Sequence, residues 1–105
     1  MSGSVLKAGA RLKSAVCDTQ IMVLRVPAEA LDLRCGGTPM IAMQETPAPG
    51  VTLDGGFADA TLTGKRYVDE AETMEFLCTK GGAGGLSVAA VKLLVKQAKA
   101  LPSSD

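Results

Sequence analysis

SAVCDTQIMVLRVPAEALDLRCGGTPM, residues 14 to 40, is the stretch on which the reading of this chain turns. Gln20 to Val26 is apolar and β-branched at odd and even positions alike, the pattern of a strand that is central in its sheet or covered on both faces. Pro27 ends it, because proline has no N–H to give to a ladder. Ala28 to Leu31 then turns the chain into a second strand over 31 to 34. Gly36-Gly37-Thr38-Pro39 is a cluster of turn formers. Two turns, one carrying Cys17 and the other Cys35, therefore flank a strand and its return.

Before this stretch, residues 4 to 13 are short and interrupted by Gly9, which favours an extended lead-in strand or arm over a helix. After it, Met40 to Met43 reads as a strand. Thr46-Pro47-Ala48-Pro49-Gly50 is a stiff, extended connection. It separates a lobe at 14 to 45 from a β-rich lobe at 51 to 101, within a single domain of residues 1 to 105. Val51 to Leu53 is a short strand closed by the Asp54-Gly55-Gly56 turn, and further short strands are expected at 61 to 62 and 66 to 68.

Glu72 to Thr79 alternates, with Met74, Phe76 and Cys78 on one side, as a half-buried strand does. The glycines from Gly81 to Gly85 form a loop. They lack the Gly-Lys-Ser/Thr end of a phosphate-binding loop, and Ser87 stands where a dinucleotide fingerprint needs its third glycine. A short strand follows at 86 to 88. Val88, Val91, Leu94, Val95 and Ala98 then recur at helical spacing, with Lys92, Lys96 and Lys99 roughly opposite, which predicts a helix over 89 to 99. Pro102 to Asp105 is a tail.

Composition bounds what such a chain does. The 105 residues suffice for one small domain, and 47% hydrophobic with only 3% aromatic residues means an aliphatic core of limited size. Subunit contacts are an economical remedy, so a homo-oligomer is expected. Eleven basic residues balance eleven acidic ones, with no basic stripe for nucleic-acid phosphates. The charged clusters at Lys7, Arg11 and Lys13, at Asp69, Glu70, Glu72 and Glu75, and at Lys92, Lys96 and Lys99 read as solvated faces, with mutual attraction as the alternative.

No apolar run is long enough to span a bilayer, no signal peptide is visible, and three cysteines is an odd number. Reduced thiols in the cytoplasm are the expectation. The absence of histidine removes the usual zinc triads and the histidine-based nucleophile arrangements.

The two cysteine turns resemble the desulforedoxin family, which also supplies the N-terminal domain of desulfoferrodoxins. Ser14-Ala15-Val16-Cys17 stands where the family has Cys-x-x-Cys, and Cys35-Gly36-Gly37-Thr38-Pro39-Met40 where it has Cys-Cys-Gly-x-Pro-Met. The resemblance covers residues 14 to 40 and implies a β-ribbon, a dimer and one iron held by four thiolates. Ser14 and Gly36 replace two of those four ligands, so only Cys17 and Cys35 carry over, with Cys78 as a possible third thiolate.

The expected fold class is thus mainly β: a small single domain with a desulforedoxin-like N-terminal ribbon, further short strands and a C-terminal helix. The leading functional expectation is a non-enzymatic accessory or subunit protein working through protein contacts, as a homo-oligomer or on a larger protein partner, without nucleic acid, membrane or cofactor. The alternative is a metal-binding or redox protein with Cys17 and Cys35, alone or together with Cys78, as ligands to iron or zinc.

Overall fold

Ile21 and Val23 stand two residues apart in the apolar run and are both fully buried, the mark of a strand with one face in the core. In the computed structural model, which describes residues 4–96, that run is the third of a series of strands. These are β1 (Ser4–Val5), β2 (Arg11–Lys13), β3 (Gln20–Arg25), β4 (Ala30–Leu31), β5 (Leu33–Cys35), β6 (Thr38–Pro39), β7 (Ile41–Ala42), β8 (Arg66–Val68), β9 (Glu75–Lys80), β10 (Leu86–Val88), β11 (Val91–Lys92) and β12 (Leu94–Val95). A single 3-10 turn at Gly55–Phe57, capped by the Asp54 carboxylate on the Gly56 N–H, interrupts them.

All pairings are antiparallel. A six-stranded sheet runs β12-β8-β9-β3-β2-β7, a four-stranded sheet runs β11-β10-β5-β6, and β1 pairs with β4. Strands from both sides of the proline-rich connection meet in each of the two larger sheets, and β3 beside β9 forms the centre of the six-stranded one. Side chains from both sheets share one core: Ile21 and Val23 of β3, Phe76 and Cys78 of β9, Leu33 and Cys35 of β5, and Leu86 of β10. Phe76 is the largest side chain fully enclosed, as an aromatic-poor composition requires of its few rings.

Glu75 also lies on β9 and is buried, an arrangement that needs charge partners. Lys96 Nζ reaches its Oε1 at 3.0 Å and Arg66 reaches its Oε2 at 3.3 Å. The bond from Lys96 is the main reason its carboxyl is held below the ordinary value of 4.5. The acidic and basic clusters therefore do engage one another here, while Asp69 turns inward on its own loop to accept from Thr73 and the Met74 N–H.

The mainly β fold agrees with expectation, but the C-terminal helix does not exist over its described part. Ala89 and Ala90 form a tight turn between β10 and β11, with Ala89 in the left-handed region at φ 53°. β11 follows, and then β12 pairs with β8. Val88, Val91 and Val95 suit strands better than helices, and an isolated helix of this length is marginal in water. The ladders offered by β5 and β8 therefore decide the outcome. Leu93 is buried between outward-facing Lys92 and Leu94, a strand-like alternation, whereas Val91 and Leu94 of the helical spacing are exposed. Residues 97 to 99 of the expected helix lie outside the described residues. Among the described residues no helix is long and apolar enough to cross a membrane.

Candidate thiol site

Ser14 opens the turn that follows β2. Its Oγ accepts from the N–H groups of Val16 and Cys17, each at 3.1 Å, and its own N–H donates to the Thr19 carbonyl at 2.8 Å. A short hydroxyl side chain is well suited to such local capture of backbone N–H groups. The turn is thereby closed from both ends, and Cys17 is held at its apex side, half-buried. Thr19, at the start of the run into β3, is fully buried with its hydroxyl 3.2 Å from Cys17 Sγ.

Cys35 ends β5 and is fully buried. The hairpin to β6 pairs Cys35 with Thr38 and leaves Gly36 and Gly37 as its two central residues, at φ 64° and 84°. Both left-handed positions together describe a turn whose twist matches antiparallel strands, and glycine occupies them without strain. This hairpin delivers Cys35 Sγ to 3.8 Å from Cys17 Sγ.

The glycine loop completes the site. Thr61 Oγ1 donates to the Gly84 carbonyl at 2.6 Å, and the Gly36 N–H donates to the Gly85 carbonyl at 3.0 Å. So fixed, the loop directs the Gly84 N–H at Cys17 Sγ, at 3.4 Å. A Cβ on Gly84 would lie 3.0 Å from Gly36 Cα and 3.1 Å from Cys35 Sγ. The loop is thus packed onto the two thiols, and glycine is required for that approach rather than for a phosphate.

The two thiols differ in acidity. Burial works to raise Cys17, but bonds from the Ser14 and Thr19 hydroxyls and the Thr19 and Gly84 N–H groups outweigh it, and bring the thiol from 9.0 down to about 7. Burial raises Cys35, and the negative charge that Cys17 acquires raises it further, to about 11. The pair therefore combines a thiolate near neutral pH with a protonated thiol behind it.

Of the three cysteines considered as ligands, Cys17 and Cys35 are brought together. Cys78 is buried on β9 opposite Ile21, its thiol pushed up by burial. Among the described residues no three His, Cys, Asp or Glu side chains gather in a way that would hold a metal ion. Ser14 Oγ is engaged with two N–H groups, and a Cβ at Gly36 would press on the side chains of Leu53 and Val16. A four-thiolate iron centre does not fit these residues.

Thr19 and Gly84 are functional candidates that sequence reasoning missed. Ser14 was visible there only as a replaced ligand, although Ser-x-x-Cys is itself a turn signal that points to its role as an acceptor. For Gly84 there is no local signal, since it meets Cys17 from 67 residues away. No protein-family model matches the chain, and no characterised protein or solved structure is significantly similar to it.

Proposed function

We propose that the protein works through a reversible dithiol–disulfide couple formed by Cys17 and Cys35. The observation that carries this reading is the 3.8 Å separation of the two sulfurs. Side-chain rotation closes such a gap to the roughly 2 Å of a disulfide. Oxidation joins the two sulfurs and releases two protons and two electrons to an acceptor, an external disulfide or a peroxide. A thiolate near neutral pH beside a second thiol is the starting point such chemistry needs. A couple of this kind suits a reducing compartment such as the cytoplasm, where a disulfide is transient.

The test is a redox titration of the purified chain in glutathione buffers, read by intact mass and by counting maleimide-reactive thiols. Loss of two hydrogens and of two reactive thiols is expected in the wild type and in Cys78→Ser, and in neither Cys17→Ser nor Cys35→Ser. Three free thiols at every poise would sink the proposal. Elemental analysis of protein purified without chelator runs beside it. Stoichiometric iron or zinc, lost in Cys17→Ala, would favour a metal whose remaining ligands come from outside the chain.

A second reading, an accessory subunit acting by protein contact, is favoured by the exposure of Val91 (70%), Leu62 (54%) and Leu94 (53%). Leu94 lies on β12, an edge strand of the larger sheet, where a second copy would extend the ladder. Light scattering on a sizing column checks it: a dimer disrupted by Leu94→Lys is expected, and a monomer at all concentrations argues against a homo-oligomer.

A further inference from the structure

The two sulfurs are not equivalent in access. Cys17 sits half-buried on a surface turn, with exposed Asp18 beside it. Cys35 is wholly enclosed, and the Gly84 backbone closes over its sulfur so tightly that no side chain fits between them. A reagent from solvent therefore meets Cys17, and Cys35 is reached only through it. The Thr19 hydroxyl, itself fully buried, lies 3.2 Å from Cys17 Sγ and so holds that sulfur beside Cys35 Sγ, 3.8 Å away.

From this asymmetry we infer that the pair reduces external disulfides by a fixed order of attack, Cys17 first and Cys35 second, with Thr19 as the positioning residue that holds Cys17 Sγ for both steps. The inference rests on the dithiol–disulfide reading and assigns its substrate class and the part each residue plays. In the first step the Cys17 thiolate attacks one sulfur of R–S–S–R. A Cys17–S–S–R bond forms, the R–S–S–R bond breaks, and one RS⁻ departs to take a proton from water. In the second step Cys35 gives up its proton and its sulfur attacks Cys17 Sγ, the bond from Cys17 Sγ to the R sulfur breaks, and the second R group leaves as RS⁻ and takes up a proton to become RSH. One external disulfide becomes two thiols, and two protein thiols become one disulfide. The Gly84 N–H supports Cys17 Sγ both as the attacking sulfur and as the sulfur under attack.

The experiment uses the reduced full-length chain with glutathione disulfide as probe, quenched by acid at intervals and read by intact mass and peptide mapping. Cys35→Ser is expected to stop at one glutathione adduct, on Cys17, whereas Cys17→Ser gains none on Cys35 in the same time. The wild type passes through the adduct to the internal disulfide. Thr19→Val is expected to slow formation of the adduct severalfold and to move the pH at which Cys17 reacts upward, and Thr19→Ser to restore both. Thermal melts of each reduced variant confirm that it is folded. An adduct on Cys35 in Cys17→Ser that forms as fast as the one on Cys17 in Cys35→Ser overturns the order of attack. Adduct formation with the wild-type rate and pH profile in Thr19→Val overturns the role of Thr19 and leaves the couple standing. A wild type that forms neither adduct nor internal disulfide removes the couple and this inference together.

Discussion

Cys17 owes its acidity to four donors gathered from two distant parts of the chain, and the two hydroxyls among them, of Ser14 and Thr19, can be removed singly. Alkylation of the folded, reduced protein by iodoacetamide is expected to show a rate at Cys17 that is half-maximal near pH 7, with Cys35 and Cys78 silent until the protein unfolds. The same shifts set the stability of the reduced protein. Between about 7 and 9.0 the folded state has lost the Cys17 proton that the unfolded chain retains, so stability climbs with pH. Between 9.0 and about 11 the folded state keeps the Cys35 proton that the unfolded chain has lost, so stability falls. Cys78, also raised, adds to the fall. A melting-temperature maximum near pH 9 follows, and Cys17→Ser is expected to erase its neutral side. Gly84→Ala tests the packing of the loop. Its methyl would crowd Gly36 and the Cys35 sulfur, at an expected cost of about 1–3 kcal/mol in denaturant unfolding, with the alkylation midpoint of Cys17 moving up.

At the scale of the element, the instructive case is the segment from Leu86 to Val95, which forms β10, β11 and β12 where helical spacing predicts a helix. A substitution distinguishes the two by sign. Ala89→Gly relieves a left-handed residue in the turn, and a gain of up to about 1 kcal/mol is expected, whereas in a helix the same change costs about that much. Chemical denaturation of the two proteins decides it.

The residues themselves explain what was legible. Gln20 to Val26 announces a strand by its run of β-branched and apolar residues, and Met74, Phe76 and Cys78 announce one because burial on one face repeats every second residue. Gly36-Gly37 announces its hairpin because both positions need φ above zero. Val88, Val91, Leu94 and Val95 follow the helical period, and only the ladders that β10 forms with β5 and β12 with β8 override it. Val51 to Leu53, expected as a strand, finds no ladder and runs irregularly. The thiol site was half-visible: the two cysteine turns can be read directly, while Thr19 and Gly84 acquire meaning only once β9 and the glycine loop return to β3.

For the whole molecule, each of the two larger sheets is completed only where strands from the two sides of the connection meet. β9 inserts between β8 and β3, and β10 pairs with β5. Residues 46 to 50 are exposed and engage in no strand. A protease cut within Thr46 to Gly50 is therefore expected to leave the two pieces associated and unfolding in one transition. Each piece prepared alone should give the circular dichroism of an unfolded chain. Separate melting of the two pieces would show that the sheets are less shared than their register indicates.

The contact from Gly84 to Cys17 has a use outside chemistry. An amide proton that points at a sulfur feels every change in that sulfur's charge and bonding, and glycine amides stand apart from the crowd in a nitrogen–proton correlation spectrum. The Gly84 resonance is thus a built-in indicator: one peak, followed through a pH or redox titration of the intact protein, reads the state of Cys17 with no label on the thiol and no reagent near it.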